Sequence, residues 1–332
     1  MLKYDKLKLL FPDPQNNIEI INPSQFNCTY RDDILIESKY HQTHPYYLDI
    51  KIDHIKNEMI IEFTSKILLQ YYSDLISRYN MDRIFNEIQN FVHFKNDISK
   101  SLKNIIVLLC HCTIDVNWEG DMQQLLVSTQ TLISNNFKWK CQKKPNGFTI
   151  NNTAGKKYYH YITVYDKEKE TQKSKNRQFT QMLRSTANSI TDINPFANTL
   201  RIELNITNCQ QIRELLKIEN TDLHSVLHST ANPILTILNE ALVDKTDNQP
   251  ESHPPYPQYS NIKEYHMFLT LQHCNWNIPQ LENKIRSLYS PKTHIKKIIA
   301  PYREYYRQIL ANQQEHLVDI RQLVQCNKNP YL

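Results

Sequence analysis

Residues 158–170 have the sequence YYHYITVYDKEKE, and the other elements of the chain are interpreted around them. The alternation of the first eight residues predicts a strand with Ile162 and Val164 on one face. Tyr161, Thr163 and Tyr165 share the opposite face, and the charged residues that follow predict a helix. A row of hydroxyl groups on one sheet face, with carboxylates just beyond it, indicates a reactive site. Tyr165 is its candidate nucleophile.

Two further stretches, 105–117 and 200–207, alternate in the same way. The first is expected to slip in register between residues 108 and 112. Their polar faces carry His111 and Asp115 in the first stretch, and Arg201 and Glu203 in the second. If the apolar faces pack under helices, the polar faces of all three strands meet on the open side of one sheet. We therefore expect Asp115, Glu203 and Tyr165 to converge.

These residue types suit attack on a DNA phosphodiester. A tyrosine hydroxyl needs assistance to attack phosphorus, because its pKa is about 10 in model peptides. Carboxylates that bind Mg²⁺ or Mn²⁺ can assist, since the ion polarises the scissile phosphate. The candidate metal ligands are Asp115, Glu203 and Glu170. The accessory candidates are His111, Tyr161, Arg201 and Lys167. For each residue alone, the alternative is a solvated or packed side chain without a catalytic role.

Composition excludes several classes of protein. The chain of 332 residues has three glycines, which excludes both the phosphate-binding G-x-x-x-x-G-K-[ST] loop and the dinucleotide-binding G-x-G-x-x-G turn. Its seven cysteines form no C-x-x-C pair, so ordinary thiols are expected. The sequence has no apolar run of the length that a signal peptide or a membrane span needs. A cytoplasmic protein without a membrane partner is therefore expected.

The order of the elements predicts an α+β fold followed by an all-helical C-terminal domain. Hairpins are predicted at 48–63 and 139–150, whereas residues 65–76 follow helical spacing. The expected fold is an antiparallel sheet with helices on one face and an open active-site face. We assign residues 1–210 to the domain that carries Tyr165, 211–245 to a helical connection, 246–260 to a proline-rich linker and 261–332 to a helical, basic domain.

The segment 261–332 holds the whole excess of positive charge. It contains ten Lys and Arg against five Asp and Glu, whereas residues 1–260 balance at 29 of each. A basic segment of this kind indicates a polyanionic partner, most simply nucleic acid. Helical spacing on both sides of a turn at 274–277 predicts a helix-turn-helix. The candidate DNA-binding residues are Lys284, Arg286, Lys292, Lys296, Lys297 and Arg303. The alternative is a plain helical bundle that packs on the first domain.

Three motifs follow one another along the chain: IDV at 114–116, VYDKEKE at 164–170 and LRIEL at 200–204. Their order resembles the gene-two-type replication initiation endonucleases of filamentous phages and their plasmid relatives, over roughly residues 40–210. That family has an Arg-Ile-Asp strand, a Tyr followed by four residues and Glu, and an Arg-Phe-Glu strand. The resemblance places the catalytic tyrosine at Tyr165 and the metal-site acids at Asp115, Glu203 and Glu170. The chain departs from the family at Thr113, where the family has arginine, and it has no His-hydrophobic-His motif.

The resemblance implies a metal-dependent enzyme that starts rolling-circle replication. Such an enzyme nicks one strand of supercoiled circular duplex DNA at the origin through a tyrosine–5′-phosphate intermediate, and later rejoins the displaced strand. The implied partners are origin DNA and the helicase and polymerase of a bacterial host, in the host cytoplasm. Two alternatives stay open: a related transposase or relaxase with the same chemistry, and a non-catalytic DNA-binding replication or regulatory protein.

Overall fold

A computed structural model of the protein describes residues 2–14, 18–95, 102–133, 136, 138–153, 160–186, 195–242, 259, 261–274, 277–288, 294–314 and 318–326. Within these ranges the chain is an α+β protein built on a large antiparallel sheet. The predicted linker 246–260, apart from Tyr259, lies outside the described residues, as does Lys292.

The described residues form twelve strands. They are β1 (Lys3–Pro12), β2 (Ile18–Ile20), β3 (Asn27–Arg31), β4 (Ile34–Gln42), β5 (Leu48–Asp53), β6 (Glu58–Thr64), β7 (Val92–Phe94), β8 (Ile106–Asn117), β9 (Trp139–Lys144), β10 (Gly147–Asn152), β11 (Tyr161–Asp166) and β12 (Thr199–Ile206). Ten of them form one sheet in the order β3-β4-β5-β6-β1-β8-β12-β11-β10-β9, while β2 pairs with β7.

The strands agree closely with the alternation of the sequence. Both predicted hairpins are confirmed, as β5 with β6 and β9 with β10. The predicted register slip in β8 is also confirmed, because Lys8 and Leu9 of β1 pair with Leu109 and Val107 and leave Leu108 without a partner on that side. Such a bulge turns the side chains that follow it by one position. Strand β1 pairs with both β6 and β8 and so joins the two halves of the sheet.

The helices are α1 (Met81–Ile88), α2 (Met122–Ile133), α3 (Lys167–Thr171), α4 (Arg177–Thr186), α5 (Cys209–Leu216), α6 (Leu223–His228), α7 (Pro233–Ala241), α8 (Ile262–His273), α9 (Ile278–Leu288), α10 (Ile295–Gln314) and α11 (Ile320–Cys326). Helices α5 and α7 pack on β8, and α2 packs on β9 and β10. The apolar face of β12, from Leu200 to Ile206, is buried in the same layer. None of the described helices has both the length and the hydropathy that crossing a bilayer requires.

The segment after β6 differs from the predicted α-helix. Ser65–Asp74 is a 3₁₀ segment with a break at Leu69, where φ is 54°. A positive φ in a branched apolar residue interrupts helical geometry, because the Cβ atom crowds the neighbouring carbonyl. The break lets the segment bury Ile67 and Leu68 in the main core while Tyr72 joins a separate aromatic cluster.

The C-terminal helices divide between two cores. Helices α8, α9 and α10 share a cluster that contains Phe268, Leu281 and Tyr306. Helix α11 instead returns to the main core through Ile320 and Val324. The predicted segment 261–332 therefore supplies both a separate three-helix cluster and one helix of the first domain. Helical spacing alone could not distinguish these two packing partners.

Gly147 begins β10 opposite Tyr165, and its substitution should be costly. A Cβ atom at Gly147 would lie 1.9 Å from the carbonyl oxygen of Val164 and 2.7 Å from the Cα of Tyr165, both backbone atoms. We expect Gly147→Ala to destabilise the fold by about 1–3 kcal/mol, because β10 must move away from β11. Urea unfolding measures this loss. Gly120→Ala is the comparison, since the three atoms nearest to its Cβ belong to the Trp118 side chain and not to the backbone. Equal losses in the two variants would contradict the explanation.

Candidate active site

Strands β8, β12 and β11 are adjacent, and their register places the predicted residues on one face. Asp115 pairs with Arg201, and Arg201 pairs with Tyr165, so these three form a row across the sheet. Glu203 lies in the next row, opposite Thr113 and Thr163. The predicted convergence of the three strands is thus confirmed. It follows from period-two alternation combined with antiparallel pairing.

The Tyr165 hydroxyl donates a 2.5 Å hydrogen bond to Oε1 of Glu203. Burial, and then the nearby Asp5, raise the pKa of Glu203 to about 7. Burial, followed by the charge of Glu203, also raises the pKa of Tyr165 well above its ordinary value. The two groups form a hydroxyl–carboxylate pair in which the carboxylate is positioned to accept the tyrosine proton.

Arg201 is fully buried and binds two carboxylates. Its Nε and Nη2 each donate a 2.6 Å hydrogen bond to a different oxygen of Asp115. Its Nη1 donates to Oδ1 of Asp5 at 3.0 Å, and Ser65 donates to the same oxygen at 2.6 Å. The accessory candidate Arg201 is therefore the centre of a buried ion-pair network, which holds it in one orientation.

Asp5 is a site residue that the sequence analysis missed. Pairing between β1 and β8 shifts between Tyr4 and Lys6, and Asp5 is the residue at this irregularity. The network around it, including Arg201 and Lys167, lowers the pKa of Asp5 even though burial opposes this. In the sequence, Asp5 is a single acid among lysines and leucines, and no motif marks it as a site residue. Only the pairing of β1 next to β8 brings it to the site.

Lys167 and Glu170 form a second buried pair at the start of α3. Lys167 Nζ lies 3.3 Å from Oε2 of Glu170, and Asn176 donates to Oε1 at 3.0 Å. Lys175 also lies 3.5 Å from Glu170. Burial opposes ionisation, but Lys167 and these partners lower the pKa of Glu170 to about 2. Glu170 is thus an ionised carboxylate held by neighbouring donors.

The polar face around Tyr165 is not open, in contrast to the expected active-site face. Tyr72, Phe179 and Phe196 form an aromatic cluster over this part of the sheet, with ring centroids 5.0 and 5.2 Å apart. The ammonium of Lys167 and the guanidinium of Arg201 lie against rings of this cluster. Cation–π contacts with the rings and burial of the aliphatic stems offset part of the cost of burying these two charges. Tyr165 and Glu203 remain partly exposed.

The three predicted metal ligands do not assemble as a metal site. Within the described ranges, no group of three or more His, Cys, Asp and Glu side chains is arranged to hold a metal ion. Asp115 is bound by Arg201, Glu170 by Lys167 and Asn176, and Glu203 by Tyr165. The three carboxylates are thus held by separate donors and do not form one shared ligand set for the predicted ion within the described ranges.

The other two accessory candidates lie in the row beyond Glu203. His111 and Tyr161 flank Asn205 across the sheet. Burial lowers the pKa of His111 to about 4, so the imidazole is neutral at physiological pH. The Tyr161 hydroxyl accepts a 2.8 Å hydrogen bond from Asn205. Four residues along a strand separate the Cα atoms of Tyr161 and Tyr165 by about 13 Å.

The described basic candidates of the C-terminal helices are exposed. Lys284 lies on α9, and Lys296 and Lys297 lie at the start of α10. Arg286 and Arg303 both donate to Glu282, at 2.6 and 3.2 Å. This shared acid connects α9 with α10, so the two arginines have a structural partner as well as exposed surface.

Comparison with models of known protein families and with curated proteins gives no match for this chain. The function must therefore be argued from the geometry of the site.

Proposed function

We propose that the protein nicks and rejoins a DNA strand, with Tyr165 as the nucleophile, and thereby initiates rolling-circle replication. The observation that carries the proposal is the 2.5 Å hydrogen bond from Tyr165 to Glu203. Contact with a carboxylate that can act as a general base is one of the ways in which a hydroxyl nucleophile is activated for covalent catalysis. The order of the three motifs, which resembles that of phage and plasmid initiators, supports the choice of DNA as substrate.

In the proposed step, the Tyr165 oxygen attacks phosphorus and its proton passes to Glu203. The bond from phosphorus to the 3′ oxygen breaks, and that oxygen takes a proton from water. The products are a tyrosine–5′-phosphate ester and a free 3′ hydroxyl, which a host polymerase could extend. The reverse attack by a 3′ hydroxyl reseals a strand, because the ester keeps the energy of the broken bond.

DNA binding by the three-helix cluster α8–α10 is the second part of the proposal. Lys284, Lys296 and Lys297 are exposed on its surface. Lysines of this kind contact phosphates and position a protein on DNA without selecting its sequence. Residues 275–276, in the predicted turn between the two helices of the helix-turn-helix, lie outside the described residues.

The pH dependence of adduct formation should follow Glu203. A base must be ionised to accept a proton, so the rate should rise about tenfold per unit below pH 7 and level off above it. Stability should change in the opposite direction. A carboxyl whose pKa is raised to about 7 by folding loses its favourable contribution as pH rises from about 4.5 to 7. Single-turnover adduct assays and urea unfolding measure both trends.

Glu203→Gln is the control for this pH dependence. It should lower the rate and flatten both pH profiles, because the titrating group is gone. A wild-type rate that does not change between about pH 5 and pH 8 would show that Glu203 is not the base.

A second candidate function is a non-catalytic DNA-binding protein. It is favoured by the aromatic cluster over the ion pairs, since a closed network of this kind also stabilises a fold without chemistry. The test is incubation with supercoiled DNA of the replicon that encodes the chain, followed by peptide mapping of any covalent adduct. An adduct on Tyr165 supports the enzyme. Specific binding without an adduct or nicking supports the second candidate.

A further inference from the structure

Among the described residues, three acids near Tyr165 have donors other than the nucleophile: Asp5, Asp115 and Glu170. Asp115 is bound through both oxygens by Arg201, and Asp5 accepts from the same guanidinium. Glu170 accepts from Asn176 and pairs with Lys167 and Lys175. The guanidinium of Arg201 is fully buried, donates to both oxygens of Asp115 and also pairs with Asp5, so these two acids already share one cation. The carboxylates of this site are therefore arranged around side-chain cations.

Two of these cations lie next to the nucleophile. Arg201 is the register partner of Tyr165 on β12 and is 0% exposed. Lys167 is 2% exposed, and its ammonium lies 5.5 Å from the centroid of the Tyr165 ring. By contrast, Tyr165, Glu203 and Asp115 are partly exposed. A phosphate that reaches the tyrosine from solvent would thus have two fixed positive charges behind its nucleophile.

We propose that Arg201 and Lys167 supply the positive charge of the reaction and that strand transfer proceeds without a divalent metal ion. This inference rests on the proposed nicking function. Fixed charges that need no reorganisation stabilise the charge that develops on phosphorus and its oxygens. Lys167 acts beside the ring of the reacting tyrosine, and Arg201, which Asp115 and Asp5 hold in place, acts from the neighbouring strand.

Protons balance in this metal-free step. Tyr165 gives its proton to Glu203, the phosphorus–3′-oxygen bond breaks, and water protonates the leaving oxygen. Neither Arg201 nor Lys167 gains or loses a proton. Their part is electrostatic: they offset the negative charge that accumulates on the tyrosine oxygen and on the phosphoryl oxygens during attack.

The experiment compares adduct formation by the full chain in EDTA, in Mg²⁺ and in Mn²⁺, on DNA of its own replicon. Rates in the three conditions should agree within about twofold, and Lys167→Met should lower all three by about 100-fold. Lys169→Met is the matched control, because Lys169 lies on the same helix but is exposed and pairs with Asp166. It should retain the wild-type rate.

A second readout separates charge from structure. Loss of the Lys167 charge should move the pH profile of adduct formation to higher pH, because Lys167 favours the ionised form of Glu203. A purely structural role would change the amount of folded protein without moving the profile. Titration of the wild-type protein with Mn²⁺, followed by electron paramagnetic resonance, should show no stoichiometric binding.

The outcomes distinguish this inference from the function on which it rests. An adduct that forms only with Mg²⁺ or Mn²⁺ would overturn the metal-free step and leave the nicking function in place. A Lys167→Met variant that Mg²⁺ restores to the wild-type rate would do the same. Absence of an adduct on Tyr165 under all three conditions would overturn the nicking function and this inference with it.

Discussion

Replacement of Tyr165 by phenylalanine should abolish the covalent protein–DNA adduct and lower nicking by at least about 10⁴-fold. The substitution removes the oxygen that attacks phosphorus and leaves the ring in place. Binding to DNA should be retained, because the exposed lysines of the three-helix cluster are unchanged. The measurement is single-turnover conversion of supercoiled to relaxed DNA, with the adduct detected after denaturation.

The stability of Tyr165→Phe must be measured alongside its activity. The variant loses the hydrogen bond to Glu203, which typically costs about 1 kcal/mol. The cost should be largest at high pH, because an ionised Glu203 then lacks its donor, and smallest below about pH 7, where the carboxyl holds its own proton. A folded variant without an adduct identifies chemistry as the cause of the lost activity.

Tyr161→Phe is the matched control. Tyr161 lies on the same strand and the same face, and its hydroxyl accepts a hydrogen bond from Asn205. Its substitution should change the nicking rate by less than about threefold. An adduct that maps to Tyr161 in the wild-type protein would show that the nucleophile had been assigned to the wrong tyrosine.

Replacement of Arg201 by methionine should destabilise the protein by about 3–5 kcal/mol. Methionine fills similar space, so the loss comes mainly from charge. Asp115 would lose both of its 2.6 Å hydrogen bonds from Arg201, and Asp5 would keep only the donor Ser65 among the hydrogen bonds described above. The free energy of urea unfolding at neutral pH measures this loss.

At low pH, the difference in the free energy of unfolding between Arg201→Met and the wild type should become smaller. In the native protein the pKa of Asp5 is lowered, so its stabilising contribution is present above the unfolded value and is lost as pH falls. Without Arg201, Asp5 can become neutral by taking a proton, and the variant loses less stability at low pH.

Asp115→Asn in the Arg201→Met background is the companion variant, and it should recover part of the lost stability. If Arg201→Met alone loses less than about 1 kcal/mol of stability at neutral pH, water already screens this ion-pair network, as it does at exposed ion pairs.

Much of the site could be predicted because alternation assigns each residue to a face. The period of two placed Asp115, Arg201, Glu203 and Tyr165 on the polar faces of their strands, and antiparallel pairing then brought them together. The ion-pair partners of these acids were harder to predict. Arg201 and Asp115 have complementary shapes and charges, but alternation does not show that they face each other directly across two strands.

The sequence by itself determined the α+β organisation, both hairpins, the bulge in β8 and the candidate nucleophile, because these depend on local patterns of apolar and polar residues. Tertiary structure alone decided the contribution of Asp5, which is 196 residues from Arg201, and the aromatic cluster that covers the ion pairs. It also decided that α11 joins the main core. The physical reason is that alternation specifies a face, whereas the partner on that face depends on strand order and register, which only the packed chain establishes.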